Sequence, residues 1–133
     1  MMVYDLDGNG SKWSILGNTK NNRKNQSSLH RATCSMLSEI YPTLIILQEV
    51  PIVIRKNHTL FLDFYIPLLK TVVEVHGEQH YKFVAHYHSN AMGFIKHKKR
   101  DADKKEWCEI NGIEHIELPY NENIEQWKLR IKQ

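Results

Sequence analysis

A chain of 133 residues, 41% of them hydrophobic, suits a single globular domain and excludes both a two-domain protein and a disordered one. Net charge is only +3 with eight histidines counted neutral, so overall charge names no partner, and the two cysteines, Cys34 and Cys108, read as buried thiols rather than a disulfide framework. The opening residues lack the basic and then apolar pattern of a secretory leader, and no apolar run approaches the roughly 20 residues of a bilayer span, so no membrane and a cytoplasmic setting are expected.

Residues 1–26 carry glycines and a run of Asn, Lys and Arg that break any periodicity, which predicts a basic arm or small appendage with at most a short strand near Trp13–Leu16. A single domain should follow over 27–133. Ser27-Ser28 offers a helix cap, Leu29, Ala32, Thr33, Met36, Leu37 and Ile40 follow at helical spacing, and Pro42 stops the run. Strands are expected over Leu44–Ile54, Leu60–Ile66 and Thr71–His76, with a turn at Asn57-His58. The third strand is apolar except at its end, as a buried central strand would be. Residues 77–93 form a long aromatic and histidine-rich connection. A second helix is predicted from Phe94 to Asn111 with Gly112 beyond its end, then a strand over Ile113–Leu118 and a last helix over 122–132 with Ile124, Trp127 and Ile131 on one stripe. The result is an α/β order, α-β-β-β-α-β-α, around a mixed sheet of about four strands.

Two carboxylates break otherwise apolar strands, Asp63 in Leu60–Tyr65 and Glu74 in Thr71–His76. A carboxylate inside a sheet is costly unless it is paired or holds a cation. Two on neighbouring strands can converge on a hard divalent ion such as Mg²⁺, which takes oxygen ligands, polarises a phosphate and acidifies a water. His76 shares a face with Glu74, and His80 follows after Gly77. A histidine can take the proton of an attacking water or give one to a leaving oxygen. Asp101 lies on the helix face that carries Cys108 and can hold a histidine by accepting its second N–H. Basic residues cluster at Lys20, Arg23 and Lys24 and again at Lys98, Lys99, Arg100 and Lys104. Two such runs beside a carboxylate site point to phosphate contacts, and Trp13, Tyr81 or Tyr87 are candidates for stacking on bases.

Two other motifs carry less. Asp5-Leu6-Asp7-Gly8-Asn9-Gly10 matches the opening of a calcium loop, but Leu16 stands where that loop needs its glutamate. His76, His80, His86 and His88 suit zinc by type, yet no zinc-finger or His-Glu-x-x-His spacing accompanies them.

Asp63, ten intervening residues and then Glu74-Val75-His76 resembles the PD-(D/E)XK nuclease motif, with His76 in the place of the usual lysine. The longer string Glu74-Val75-His76-Gly77-Glu78-Gln79-His80, followed by Lys99-Arg100-Asp101, is similar to the very-short-patch repair endonucleases and the phage EDxHD homing endonucleases. The resemblance covers about residues 27–120. It implies a restriction-endonuclease-like fold and an Mg²⁺- or Mn²⁺-dependent endonuclease acting on DNA, of phage type and thus in host cytoplasm. It implies that Asp63 and the Val75 carbonyl bind the metal, beside Glu74 in the wider superfamily. His80 would activate water, His76 would assist at the scissile phosphate, and Asp101 would orient a histidine. The family's first-helix glutamate has no match: His30 stands near its position, and Glu49 in the next strand is the other candidate. The repair enzymes' cysteine-rich zinc site has no counterpart. The alternatives are a nucleic-acid-binding or assembly protein that has lost catalysis on the same fold, and a zinc-stabilised binding module. Monomer and homodimer both remain open.

Overall fold

The serine pair starts the first helix as expected. The Ser27 hydroxyl accepts the His30 N–H at 3.1 Å and caps α1, Ser28–Ile40, which runs until Tyr41 and Pro42 turn the chain. A computed structural model describes residues 1–15, 27–88 and 90–131, with the backbone alone at positions 86 and 87. Ahead of α1 lie β1, Met2–Tyr4, and β2, Gly10–Lys12. After it come β3, Leu47–Arg55; β4, His58–Ile66; β5, Thr71–His76; the four-residue α2, Ala85–His88; α3, Ala91–Ile110; β6, Glu114–Pro119; and α4, Ile124–Ile131.

Among the described residues the main sheet has four strands in the order β3-β4-β5-β6. The first three form an antiparallel meander, and β6 returns parallel to β5 after the crossover through α2 and α3. The architecture is therefore mixed α/β with a mixed sheet, as the alternation of periods predicted. Every residue of β5 is buried, which explains its apolar composition. The turn between β3 and β4 is Lys56-Asn57 rather than Asn57-His58, because His58 already pairs with Arg55 and Asn57 takes the left-handed conformation at φ 61°.

Each face of the sheet has its own core. On one side Leu60, Leu62, Val50, Ile52 and Val72 meet Trp107 and Cys108 of α3. On the other, Phe64, Val73, Val75 and Leu118 meet Met36 and Leu37 of α1 and Trp127 and Ile131 of α4. Successive β5 residues thus alternate between layers, which sends Glu74 and His76 toward α3 with Val72.

Over the residues described, the N-terminal segment is more regular than its broken periodicity predicted. Residues 2–12 form a hairpin, and no strand covers Trp13. The Asp5 carboxylate accepts the N–H groups of Asp7 and Asn9, both at 2.9 Å, and Gly8 has φ 87°. The calcium-loop likeness is a side-chain-stapled turn. Leu6 donates to the Ile54 carbonyl at 2.9 Å, and Trp13 donates through Nε1 to the Pro51 carbonyl at 3.1 Å. The Trp13 ring packs 4.8 Å from Tyr65 and 5.1 Å from Trp107, so it is a core residue and is not free to stack on bases. Lys20, Arg23 and Lys24 lie outside the described residues, as does the side chain of Tyr87.

Candidate active site

Regular pairing of β4 with β5 covers Ile66, Tyr65 and Phe64 opposite Thr71, Val72 and Val73. Beyond that point side chains replace the ladder. The Asp63 N–H donates to the Glu74 carboxylate at 3.2 Å, and the Val75 N–H donates to the Asp63 carboxylate at 3.0 Å. The same level is irregular on β3. Gln48 pairs with Phe64 and Val50 with Leu62, leaving Glu49 opposite Asp63 with φ 51°, a left-handed conformation that costs a non-glycine residue about 1 to 2 kcal/mol. The facing pattern slips there by one residue: Leu60 and Leu62 belong to the α3-side core, and so does Tyr65, while Phe64 belongs to the other. Asp63 sits at this slip. In β6, Glu117 is the register partner of Glu74. Glu49, Asp63, Glu74 and Glu117 therefore form a row across all four strands.

Glu74 is the deepest of these, with 1% of its surface exposed. Burial first, and then the charge of Asp63, push its pKa well above the usual carboxylate range. The Lys104 ammonium, 3.2 Å away from α3, opposes that shift. Burial works against the charge of Lys104, yet Glu74 and Asp63 hold it above the ordinary lysine value. The oxygen that takes this contact is Oε1, while Oε2 accepts the Asp63 N–H. Lys104 was expected among residues reaching for phosphate, and the structure instead turns it inward onto the carboxylates.

Two residues beyond Glu74, His76 opens a second cluster. Its Nδ1 lies 3.3 Å from Glu117 Oε1. His80, on the one-turn 3-10 helix of residues 78–80, places Nδ1 2.7 Å from Asp101 Oδ2 on α3, the contact expected for an aspartate that orients a histidine. The two imidazoles stack 4.1 Å apart at an interplanar angle of 4°, and His97 meets His80 edge-on at 4.3 Å. Burial opposes ionisation of Asp101, but the hydrogen bond with His80 and the surrounding imidazoles hold it below the ordinary aspartate value. The contact with His76, and that from the Tyr81 hydroxyl, bring Glu117 down to about 2. A cavity of about 260 Å³ opens on this cluster, lined by His76, His80, Asp101 and Glu117 with Tyr81, Lys98, Lys105 and His115.

The remaining candidates are dispersed. His30 is buried on the α1 side, where its Nε2 lies 2.9 Å from Gln48 Oε1 and its ring stacks on Phe64 at 4.4 Å. Tyr81 is tied to Glu117 rather than presented for stacking. Lys98 lies 5.8 Å from the centres of the Tyr81 and Phe94 rings. Lys99 pairs with Asp103 at 3.6 Å. Lys99 and Arg100 line a separate cleft of about 760 Å³ with Arg55, His58 and Lys96. His88 is buried, with Nδ1 accepting the Val84 N–H at 2.9 Å and its ring stacked on Phe83, a structural setting for one of the histidines considered for zinc.

Sequence reasoning missed Glu117, His97 and His115. Glu117 had the same signal as Asp63 and Glu74, an acid between apolar neighbours in Ile116-Glu117-Leu118. His97 is three positions before Arg100 in a run read only for its charge.

Comparison with known proteins gives relatives without an assigned role. The chain is 44% identical over 64 residues to uncharacterized protein 307L of Invertebrate iridescent virus 6, a match covering 48% of this chain and 32% of that one. It is 40% identical over 65 residues to uncharacterized protein 094L of Frog virus 3 (isolate Goorha), over 48% of this chain and 42% of the other. The match to uncharacterized protein 033L of Invertebrate iridescent virus 3 is 35% over 64 residues, 48% of this chain and 33% of that protein. The chain thus spans well under half the length of the curated relatives it matches. No protein-family model and no solved structure matches it. No helix among the described residues is long and apolar enough to cross a membrane.

Proposed function

We propose that the chain is a metal-dependent endonuclease that hydrolyses phosphodiester bonds in DNA. The observation that carries this reading is the Asp63–Glu74 pair, two carboxylates held against each other's strands where the β4–β5 ladder ends, with the His80–Asp101 pair nearby on the same side of the sheet. The order of elements, a helix, an antiparallel meander, a helical crossover and a parallel strand, supports a restriction-endonuclease-like fold, in keeping with the motif resemblance.

The donor set fits a hard dication. Carboxylate oxygens on adjacent strands are the ligands Mg²⁺ or Mn²⁺ prefers, and the deeply buried Glu74 carboxylate already draws in one cation, the Lys104 ammonium 3.2 Å from its Oε1. Asp63, Glu74 and the Val75 carbonyl would hold it. When bound, it would polarise the phosphate and lower the pKa of a water. Asp101, kept ionised by its surroundings, fixes the His80 ring. His80 would then accept a proton from the attacking water, and His76, anchored by Glu117, would hydrogen-bond a phosphate oxygen or the leaving group. Lys98 and Lys105 supply positive charge at the mouth of the same cavity for flanking phosphates.

One observation favours a second reading, a nucleic-acid-binding protein without catalysis. Lys104 already partly neutralises the carboxylate pair, so the pair can persist without a metal. A single assay divides the two. Purified protein with Mg²⁺ or Mn²⁺ should nick or linearise plasmid DNA, and Asp63→Ala or His80→Ala should abolish the activity. Cleavage by both variants at the parental rate would sink the site assignment. No cleavage of plasmid, branched or single-stranded DNA would favour the binder.

A further inference from the structure

The side chains best arranged as ligands for a softer metal are not the carboxylate pair. One ring nitrogen from His76, one from His80 and a carboxylate oxygen from Asp101 all lie within 4.8 Å of one another. They come from three separate elements: the end of β5, the 3-10 turn after it, and the middle of α3. We propose that His76, His80 and Asp101 form a binding site for a borderline transition-metal dication such as Zn²⁺, separate from the Asp63–Glu74 oxygen site.

Donor chemistry is the first argument. Two imidazole nitrogens and one carboxylate suit Zn²⁺, Co²⁺ or Ni²⁺, whereas Mg²⁺ is served by oxygen. Orientation is the second. Metal-bound histidines commonly donate their other ring nitrogen to a carboxylate, as His76 Nδ1 does at 3.3 Å from Glu117, while His80 Nδ1 and Asp101 Oδ2, 2.7 Å apart, are spaced as neighbouring ligands of one ion. With Nδ1 so engaged, Nε2 is the nitrogen His76 offers, and Nδ1 beside Asp101 is the one His80 offers.

Distance and charge agree with the assignment. A tetrahedral ion about 2.0–2.1 Å from each nitrogen sets neighbouring ligands roughly 3.3 Å apart. The set needs to contract by at most about 1.5 Å from its widest allowed spacing, and the two imidazoles, stacked parallel, must tilt so that their in-plane lone pairs converge. Asp101 and Glu117 together bring two negative charges to match a dication. The adjoining cavity of about 260 Å³ leaves room for water or an anion as a further ligand, the open coordination that separates reactive zinc sites from closed structural ones. His86 and His88 are not needed.

An ion on His80 and Asp101 takes the contact that the nuclease reading uses for proton transfer, so the two uses of this pair are alternatives, and the test separates them. The full chain, stripped with a chelator, is titrated with Co²⁺ while its visible d–d absorption is followed, and with Zn²⁺ by calorimetry. One equivalent of Co²⁺ should give the intense bands of low-coordinate cobalt, and Zn²⁺ should bleach them. His80→Ala and Asp101→Ala should each weaken binding more than about 100-fold, and Glu117→Gln, which only loosens the His76 ring, by roughly 10-fold. His80→Asn, which keeps a polar contact for Asp101, guards against a folding defect, checked by thermal melting. Asp63→Asn should lose Mg²⁺-dependent cleavage and keep cobalt binding. Absence of the bands in the parent, bands that survive both His80 substitutions, or bands lost with Asp63→Asn would each overturn the proposal, whatever the plasmid assay shows.

Discussion

The backbone N–H of Asp63 donates to the Glu74 carboxylate at 3.2 Å, while the Asp63 carboxylate accepts the next strand's N–H at Val75 from 3.0 Å. Each acid is thus a ligand candidate and a structural hydrogen-bond acceptor. An amide oxygen can replace Asp63 in the second role. Asp63→Asn should keep the bond to Val75 and relieve the repulsion from Glu74, melting at or above the parent. Asp63→Ala leaves the Val75 N–H without its partner and should be less stable than Asp63→Asn by about 1 to 2 kcal/mol. Urea unfolding of both variants decides. Equal stability would mean that the carboxylate contact contributes nothing to the sheet.

Lys104 is the counter-charge of this pair. Lys104→Met should destabilise the fold by about 3 kcal/mol, because a buried acid loses its cation and must take up a proton instead. Adding Glu74→Gln to that variant should recover part of the loss, and a double-mutant cycle measures the coupling. Additive effects of the two substitutions would contradict a direct Lys104–Glu74 interaction.

His115 gives the pH dependence its sign. Burial and then the positive influence of His76 bring it down to about 4, with Glu117 opposing and Lys105 and Lys104 of α3 adding to the fall. The unfolded chain, with a histidine near 6.5, therefore binds more protons between these values, and stability falls as pH drops through that window. The contribution should reach about 2 kcal/mol lost by pH 5. His115→Gln should flatten the curve of stability against pH between 7 and 5. A curve of unchanged slope would show that another group dominates.

Gly93 lies in the first turn of α3, where alanine is intrinsically better by about 1 kcal/mol. A Cβ at Gly93 would stand 2.3 Å from the His88 carbonyl oxygen, a backbone atom that cannot swing aside. Gly93→Ala should therefore destabilise by about 1 to 3 kcal/mol, against the propensity trend. Thermal melting beside Lys96→Ala, an exposed change in the same helix, separates the clash from helix propensity.

What was legible in the sequence was what local chemistry decides. Ser27 and Gly112 mark their helix ends, the apolar run of β5 marks a central strand, and Asp63 and Glu74 stand out because apolar neighbours surround them. The hairpin of residues 2–12 was not legible. Its turn is held by the Asp5 side chain, and its place in the fold depends on Trp13 meeting Tyr65 and Trp107, contacts across the chain that no window of sequence contains. Lys104 was misread for a related reason. It stands four residues before the buried Cys108, hence on the inward face, but a run of like charge reads as solvent-facing until the partner strand is known. Helix α3 began three residues early because Asn90 caps it by accepting the Gly93 N–H, a signal hidden inside what read as a loop.

The point where side chains take over from the β4–β5 ladder also bears on how such a chain can change by descent. Residues that serve chemistry alone are free to drift once that chemistry is no longer needed. Asp63 and Glu74 are not free in this way, because they close the sheet through hydrogen bonds that a small apolar residue cannot replace. On the proposed nuclease reading, a descendant that had lost the reaction should therefore carry the amides, asparagine and glutamine, at these two places. Such a chain would keep the outline of the site after its activity was gone.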